Sequence, residues 1–485
     1  MRVAIIGLDI GSGSAKASAF TPEGQHLAHG AVSYGPKQPM QGVAEYDPSE
    51  ICKAAVGALA KISGQLGDYV VASIAIDAMM SGAVAIDSAG HALTPYTTTL
   101  DTRFGPWLDA YVSVHEQKLR HTAGSMQATL APKIAWLKHC RPDLVGKIAK
   151  YVLAGSMVGG YLAGLDAEGH YVDPSYLWTT GLSNGRYGKW SHELLDAAEL
   201  TESVLPRVVP CTQIIGTLTR EIAHQTGLSP GIPIAAGCGD QTAGYLGAGI
   251  DRPGVAADSA GTYSVFSVAL SEFQPCDNPR MPDIGLAPQP GLYHYQHIVI
   301  GGGLTRQWLE ELLLASSPDR AGALAKLEQA ASLLPVGAND LSFIPYFGGT
   351  AEPPDASLRG QLCGLTWTHG APHLYRALLE SIALDHARSL ACFPQHIVIN
   401  QVVGYGGGVR SHLWNTIKCD VFGVPYVCLG DYPITELGTA LIGAQAVNII
   451  EDAASAARGL RSVDTILQPN QERHAQYAAL LKNGG

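Results

Sequence analysis

Three stretches of this 485-residue chain combine small residues with groups that could do chemistry. The first is Asp9-Ile10-Gly11-Ser12-Gly13-Ser14-Ala15-Lys16. Successive backbone N–H groups in a Gly/Ser turn can curl around phosphate oxygens. A carboxylate at the strand end suits a hydrated Mg2+, which takes one or two carboxylates and leaves its other positions to water and phosphate. Lys16 adds a point charge. Two familiar phosphate loops are excluded. A dinucleotide fingerprint needs glycine and then a helix where this chain has Lys16 and a strand, and a Walker A loop needs Gly-Lys-Ser/Thr. The second stretch is Gly237-Cys238-Gly239-Asp240-Gln241-Thr242-Ala243-Gly244. Asp240 falls between an apolar strand, 232–236, and a small-residue helix, 242–246, at the ligand-facing edge of an α/β sheet. A helix N-terminus favours the ionised carboxylate and keeps it competent to accept a proton. The third stretch, Gly404-Tyr405-Gly406-Gly407-Gly408-Val409-Arg410-Ser411, follows an apolar run and opens a helix over 413–417. Its consecutive glycines let a flat ligand lie against bare backbone. Each stretch has a plain alternative: a tight hairpin with a solvated Asp, an ordinary capping Asp, and a long turn.

The elements that must position these residues read as α/β. Residues 3–8 are a buried apolar run, 15–20 a returning strand, and 25–32 a third strand after the Thr21-Pro22-Glu23-Gly24 turn. Ile51, Ala55, Val56, Leu59 and Ile62 recur at helical spacing within 50–64, and 70–76 reads as a fully buried strand. Helical segments at 134–139, 153–162 and 193–198 alternate with short apolar runs. Near residue 250 the opening pattern begins again, with Val255-Ala256-Ala257-Asp258 leading through Ser259-Ala260-Gly261-Thr262-Tyr263 into a strand over 264–270. Asp9 and Asp258 hold equivalent stations in two copies of one unit, each copy a whole domain. Gly and Pro concentrate in 247–254, which divides the chain into lobes 1–248 and 249–485. The tail from Asp464 to Gly485 reads as helical. His294 and His297, three apart on a strand, point to opposite faces and make no metal pair.

Composition narrows the function classes. Apolar residues are 46% and charged residues only 15%, against a usual charged share of about 25%, so a largely disordered chain is excluded. The net charge is −11 and no Lys/Arg run occurs, so nucleic acid is not an expected partner. Nine cysteines without a CxxC read as buried reduced thiols. The first apolar run meets Asp9 before a signal core is complete, and Asp77 interrupts the nearest approach to a membrane span. A soluble cytoplasmic protein is expected.

Taken in order, the Asp-x-Gly-x-x-x-x-Lys hairpin, the Gly-x-Gly-Asp-Gln turn, the Ala260-Gly261-Thr262 hairpin and the Gly-Gly-Gly-x-Arg-Ser helix start resemble the FGGY family of carbohydrate kinases, within the actin-like ATPase superfamily. The similarity spans nearly the whole chain. Asp101-Thr102-Arg103 is similar to the family's Asp-x-Arg motif, and Asp173-Pro174-Ser175 with Thr180-Gly181-Leu182 to its Asp-x-Ser…Thr-Gly-Leu stretch. Phe343 to Gly349 resembles its Leu-Pro-Tyr-x-x-Gly turn, and Glu436-Leu437-Gly438-Thr439-Ala440 its Glu-x-Gly-x-Ala helix.

The resemblance implies an α/β fold of two RNase H-like domains with an interdomain catalytic cleft, sugar on the first lobe and ATP on the second. It implies that Asp240 is the catalytic base for a terminal sugar hydroxyl attacking the γ-phosphate, and that Asp9 acts through water and Mg2+. Gly11, Ser12, Ser14 and Lys16 would lie by the transferred phosphoryl group, and Gly261 and Thr262 by the inner phosphates. Gly407, Gly408 and Ser411 would line the adenosine pocket, with Asn415 on the helix beyond; Met80, Ser81 and Asp101 would join Asp240 at the sugar. Within the family the chain most resembles the xylulokinases, which implies D-xylulose as substrate. Two departures stand out. Their Gly-Gln-Met-His-Gly reads Ala78-Met79-Met80-Ser81-Gly82 here, and their Trp-Asn-Asp-x-Arg reads Thr99-Leu100-Asp101-Thr102-Arg103. A donor/acceptor and a stacking surface are lost, so another ketose, a polyol or a sugar acid stays open. So do a non-transferring ATPase like actin or the heat-shock chaperones and a silent sugar sensor. The Asp101–Arg103 motif argues against the ATPase, and an intact Asp9 and Asp240 against the sensor. Sugar and ATP are the expected partners; a homodimer is a further expectation.

Overall fold

The computed structural model describes residues 2–351, 355, 357–392 and 397–483. The apolar run that opens the chain is strand β1 (Arg2–Ile10), buried over its last seven residues and therefore central to a sheet. β2 (Ser14–Phe20) returns antiparallel beside it, and β3 (His26–Ser33) follows antiparallel. On its other side β1 pairs in parallel with β4 (Tyr69–Ala78). β5 (Ile214–Thr217) runs antiparallel to β6 (Pro233–Gly239), and β6 pairs in parallel with β4. The spatial order is β5-β6-β4-β1-β2-β3. Helix α1 (Pro48–Ser63) starts at Asp47, whose side chain accepts the Ser49 N–H at 2.9 Å, and it lays Ile51, Ala55, Leu59 and Ile62 against β2 and β3. α2 (Ala154–Ala163) covers β6.

The second sheet uses β7 (Val255–Ala260), β8 (Ser264–Leu270), β9 (Asp283–Leu286), β10 (Tyr293–Val299), β11 (Gln401–Tyr405), β12 (Tyr426–Leu429) and β13 (Val463–Leu467). Its order is β9-β10-β8-β7-β11-β12-β13. Without β9, this sheet has the order and the pattern of parallel and antiparallel pairs of the first. The repeat seen as two Asp-containing hairpins is a repeat of whole sheets.

Two helices cross between the halves. α3 (Asp240–Gly247) follows β6, yet its Tyr245 is buried with Val255, Val403 and Val427 of the second sheet. Reciprocally, Leu437, Ala440 and Leu441 of α7 (Ile434–Ala446) pack with Ile5, Ala75 and Ala235 of the first. The helices touch where side chains are absent: a Cβ on Gly438 would lie 2.2 Å from the Ala243 carbonyl. Between them in sequence, α4 (Gly302–Leu313), α5 (Ala371–Leu390) and α6 (His412–Phe422) build a separate apolar layer with Leu309, Leu378 and Trp414.

The tail departs from expectation. Residues 463–467 are β13, the antiparallel edge of the second sheet, and only α8 (Gln471–Asn483) is helical; residues 484–485 lie outside the described part. Edge strands carry polar residues freely, so the periodicity there gave no strand signal. Within α8, Tyr477 is fully buried and its OH donates to Glu380 at 2.7 Å. No helix among the described residues is long and apolar enough to cross a membrane, and all nine cysteines are free.

Candidate active site

Asp240 is the first residue of α3, placed by a turn that the first lobe grips from three sides. Ser175 Oγ accepts the Gly239 N–H at 2.9 Å, Tyr176 OH donates to the Cys238 carbonyl at 2.6 Å, and Thr242 Oγ1 donates to the Gly239 carbonyl at 2.8 Å. The Asp240 carboxylate accepts the Gln241 N–H at 2.7 Å. Desolvation, with the charge of Asp9 adding to it, pushes this carboxyl up to about 7, against the opposing pull of the Gln241 N–H and Lys16. A carboxyl titrating there can exchange a proton near neutral pH.

Asp9 closes β1, and its cross-strand partner on β2 is Lys16. Lys16 Nζ lies 2.8 Å from Asp9 Oδ2, and this pairing lifts the ammonium above its ordinary range. The Lys16 side chain is 42% exposed and that of Asp9 8%. The turn between them is partly closed: the Gly11 N–H donates to the Ser14 carbonyl at 3.0 Å and so is not free for a phosphate. Ser12 is exposed, while Gly11 and Ser14 are half-buried.

Two further acids lie beside Asp9. Asp77 is its neighbour in the parallel register on β4, fully buried, and accepts the Thr439 hydroxyl of α7. Burial first, then the charge of Asp9, raises its carboxyl well above the ordinary range. Glu436, also on α7, is raised by burial and then by Asp9. Sequence reasoning noted Asp77 only as a break in an apolar run. An acid ending a buried strand is, however, the same signal that marked Asp9.

Could this set hold Mg2+? Among the described residues no group of three or more His, Cys, Asp or Glu forms a metal cage of its own. Mg2+ does not need one, since it is typically bound by one or two carboxylates together with substrate phosphates and water. Asp9, a hard oxygen donor near a strand end beside the exposed Ser12 turn, fits that use.

On the sugar side, Met80 packs under the Asp240 turn, where a Cβ on Gly239 would lie 2.8 Å from Met80 Cε. Ser81 is half-buried beside it, its carbonyl accepting Tyr96 OH at 3.0 Å. Asp101 is placed otherwise than expected. It is fully buried, and its carboxylate is taken by Arg103 Nε at 2.9 Å, Arg103 Nη2 at 2.6 Å and the Ala44 N–H at 3.1 Å. Asp101 instead orients Arg103, whose guanidinium stacks 4.8 Å over Trp136.

The second lobe holds a cavity of about 670 Å³ whose lining includes Gly261, Thr262, Gly407, Gly408, Ser411 and Trp414. Five of the six residues expected there are present. The Ser411 hydroxyl is committed, donating to Glu328 at 2.5 Å while it caps α6. Asn415 stands behind the lining and donates from Nδ2 to the Val409 carbonyl at 2.7 Å, fixing the turn rather than facing the cavity.

Family models of the FGGY carbohydrate kinases match this chain in both halves, the N-terminal domain over residues 4–247 and the C-terminal domain over 256–447. The chain belongs to the FGGY family of carbohydrate kinases. This family membership makes it a phosphotransferase with an alcohol acceptor, and the two-sheet architecture described above is its fold. Among curated relatives, the gluconokinase of Bacillus subtilis is 27% identical, over 93% of this chain and 89% of its own. The autoinducer-2 kinase of Klebsiella pneumoniae is 28% identical over 98% and 92%, and a xylulose kinase of Staphylococcus epidermidis 23% over 98% and 95%. The structure of xylulose kinase from Rhodospirillum rubrum superposes with a TM-score of 0.88 at 26% identity, covering 99% of this chain and 97% of that one. That of gluconate kinase from Lactobacillus acidophilus gives 0.90 at 22%, covering 100% and 97%, a likeness of fold alone.

Proposed function

We propose that this FGGY kinase transfers the γ-phosphate of ATP to the terminal hydroxyl of a small open-chain sugar, with D-xylulose the leading acceptor and D-xylulose 5-phosphate the product. The observation that carries the reading is Asp240: a carboxyl at a strand end, raised to about 7, close enough to Asp9 and Lys16 to feel both charges. Such a group accepts the hydroxyl proton as the oxygen attacks, which is the one covalent task phosphoryl transfer leaves to the protein. Lys16 would leave Asp9 for the incoming phosphoryl oxygens, and Asp9 would then be free to hold Mg2+. When bound, the metal neutralises phosphate charge. The bare backbone at Gly407 and Gly408 accommodates the adenosine and Gly261 with Thr262 the inner phosphates, which sets sugar and nucleotide on opposite lobes. We read 1–248 as the sugar lobe and 249–485 as the ATP lobe, in the cytoplasm.

A second reading, a sugar acid such as gluconate as acceptor, is favoured by the gluconokinase relatives, at 27% identity against 23% for a xylulose kinase. A coupled assay of ADP release over D-xylulose, other ketoses, polyols and gluconate tests both. Fastest turnover on D-xylulose supports the first, fastest turnover on gluconate the second. ADP release independent of any acceptor would overturn the kinase reading itself.

A further inference from the structure

Behind the two loops that this reaction must bring together stand three tyrosines. Tyr34 OH donates to the Gly11 carbonyl, Tyr46 OH to the Ser12 carbonyl at 3.1 Å, and Tyr96 OH to the Ser81 carbonyl at 3.0 Å. Gly11 and Ser12 belong to the phosphate-side turn, and Ser81 to the sugar-side segment after β4. The rings form a ladder of edge-to-face contacts. Centroids are 6.1 Å apart at 77° for Tyr34 and Tyr46, and 6.3 Å apart at 70° for Tyr46 and Tyr96. Tyr46 and Tyr96 are also cross-strand partners in a short antiparallel pair of residues 45–46 and 96–97.

Each link is stiff. Tyr46 is 1% exposed and Tyr96 0%, so neither ring can turn without disturbing a close-packed interior. Burial lifts all three phenols above their usual range, Tyr34 with a further push from Asp9, so they remain donors throughout the working pH range. A buried tyrosine needs some acceptor for its hydroxyl. Here three in a row take carbonyls of the two site loops and of nothing else in common.

We infer that the Tyr34–Tyr46–Tyr96 ladder couples the sugar-side loop to the phosphate-side turn, with Tyr46 its central positioning residue. A sugar that shifts the Ser81 segment carries Tyr96 with it as a rigid unit; Tyr96 moves Tyr46 through its ring edge, and Tyr46 the Ser12 carbonyl and with it the turn facing the transferred phosphoryl group. The coupling works in both directions, so nucleotide must tighten sugar by the factor by which sugar tightens nucleotide.

This inference rests on the kinase reading, and the experiment separates the two. The dissociation constant of a non-hydrolysable Mg-ATP analogue is measured on the full chain with and without the best acceptor of the panel. In the wild-type protein the acceptor should tighten the analogue by about fivefold or more. In Tyr46→Leu that factor should fall to about one, while each ligand alone binds within about threefold of wild type and acceptor-independent ADP release rises relative to transfer. Tyr46→Phe, which keeps the ring and loses the Ser12 contact, should be intermediate. A folded Tyr46→Leu that keeps the wild-type factor overturns the inference, as does a wild-type factor of one. Should Tyr46→Leu not fold, the cycle of Tyr46→Phe with Tyr96→Phe decides. Losses of coupling that do not add are expected for one ladder, and additive losses overturn it. A wild-type protein that phosphorylates no acceptor breaks the kinase reading instead.

Discussion

The Asp9 hairpin and the Asp258 hairpin are the same device put to two uses. Both aspartates lie on the first strand of an antiparallel pair, but one residue out of step: Asp9 is one cross-strand pair back from the hairpin end and Asp258 two. The sequence-level equivalence therefore fails, Asp9 sharing the face of Ile5 against α7 and Asp258 the opposite face with Ala256 and Phe266. Across from Asp9 is Lys16, on the returning strand and 42% exposed, so the cation of this ion pair is open to solvent. Across from Asp258 is Phe266, and the counter-charge comes from Lys418 on α6, 1% exposed beneath Trp414, with Tyr426 OH donating to the same carboxylate oxygen. The parallel neighbours differ as well: Asp77 beside Asp9, Gly404 beside Asp258. At Gly404 a Cβ would lie 2.3 Å from Tyr426 Oη, so the absent side chain is what admits the phenol that seals the second aspartate. One copy leaves its cation accessible to solvent, while the other turns its charge inward beneath Trp414, which lines the second-lobe cavity.

If the division holds, changes in the first lobe's strand-end acids should move catalysis, and changes around Asp258 should move stability. The largest effect is expected from Asp240→Asn, which should lower kcat by roughly 10²–10⁴ with little change in ATP affinity. Unchanged turnover would remove Asp240 from the base role. The wild-type rate should rise with pH up to about 7 and then level, because the base acts only when ionised, and the variant should lose that limb. Next comes Lys418→Met. It leaves a buried carboxylate without its partner and should cost about 3–5 kcal/mol of stability in a denaturant melt, with the double change Asp258→Asn, Lys418→Met recovering much of it. A melt like that of wild type would show that the pair carries no structural weight.

A smaller loss, about 1–3 kcal/mol, is expected for Gly404→Ala, since Tyr426 must give way and loosen its bond to Asp258. Smallest of all for the fold is Asp9→Asn. Its melting temperature should stay within a few degrees of wild type, while the Mg2+ concentration for half-maximal rate rises. A loss of stability matching that of Lys418→Met would erase the contrast between the hairpins, and an unaltered metal titration would remove Asp9 from the metal.

Much of the fold was legible because its signals are local. The apolar runs that became β1, β4 and β6, and the helical spacing that became α1, needed only neighbours in sequence to be read. The duplicated Asp-containing hairpin was visible for the same reason, and Asp9, Lys16 and Gly261 within it, with Gly407 in the later glycine turn, could be singled out by residue type. Other positions escaped because their meaning depends on a partner. Asp101 carries a sugar-site motif, yet Arg103 and Ala44 enclose it. Asn415 lies where a ligand contact was expected and instead fixes a turn. Asp77 and Glu436 owe their raised carboxyls to burial first and then to Asp9, with Asp240 and Glu436 adding to the rise at Asp77. Residues 464–467 read as helix because a polar edge strand has no buried face to impose an alternating pattern.

What the amino-acid order determined by itself is the list of parts: two strand-turn-strand units ending in an acid, two strand-to-helix turns rich in glycine, and a carboxylate that starts a helix. Tertiary structure alone decided which parts meet. α3 and α7 each bury their apolar face on the other half's sheet, so Thr439 reaches Asp77, and Glu436 joins Asp9, from the far end of the chain. The reason is physical: a backbone conformation is set within a few residues, but a carboxylate's charge state and its partner are set by whatever the packed core places against it.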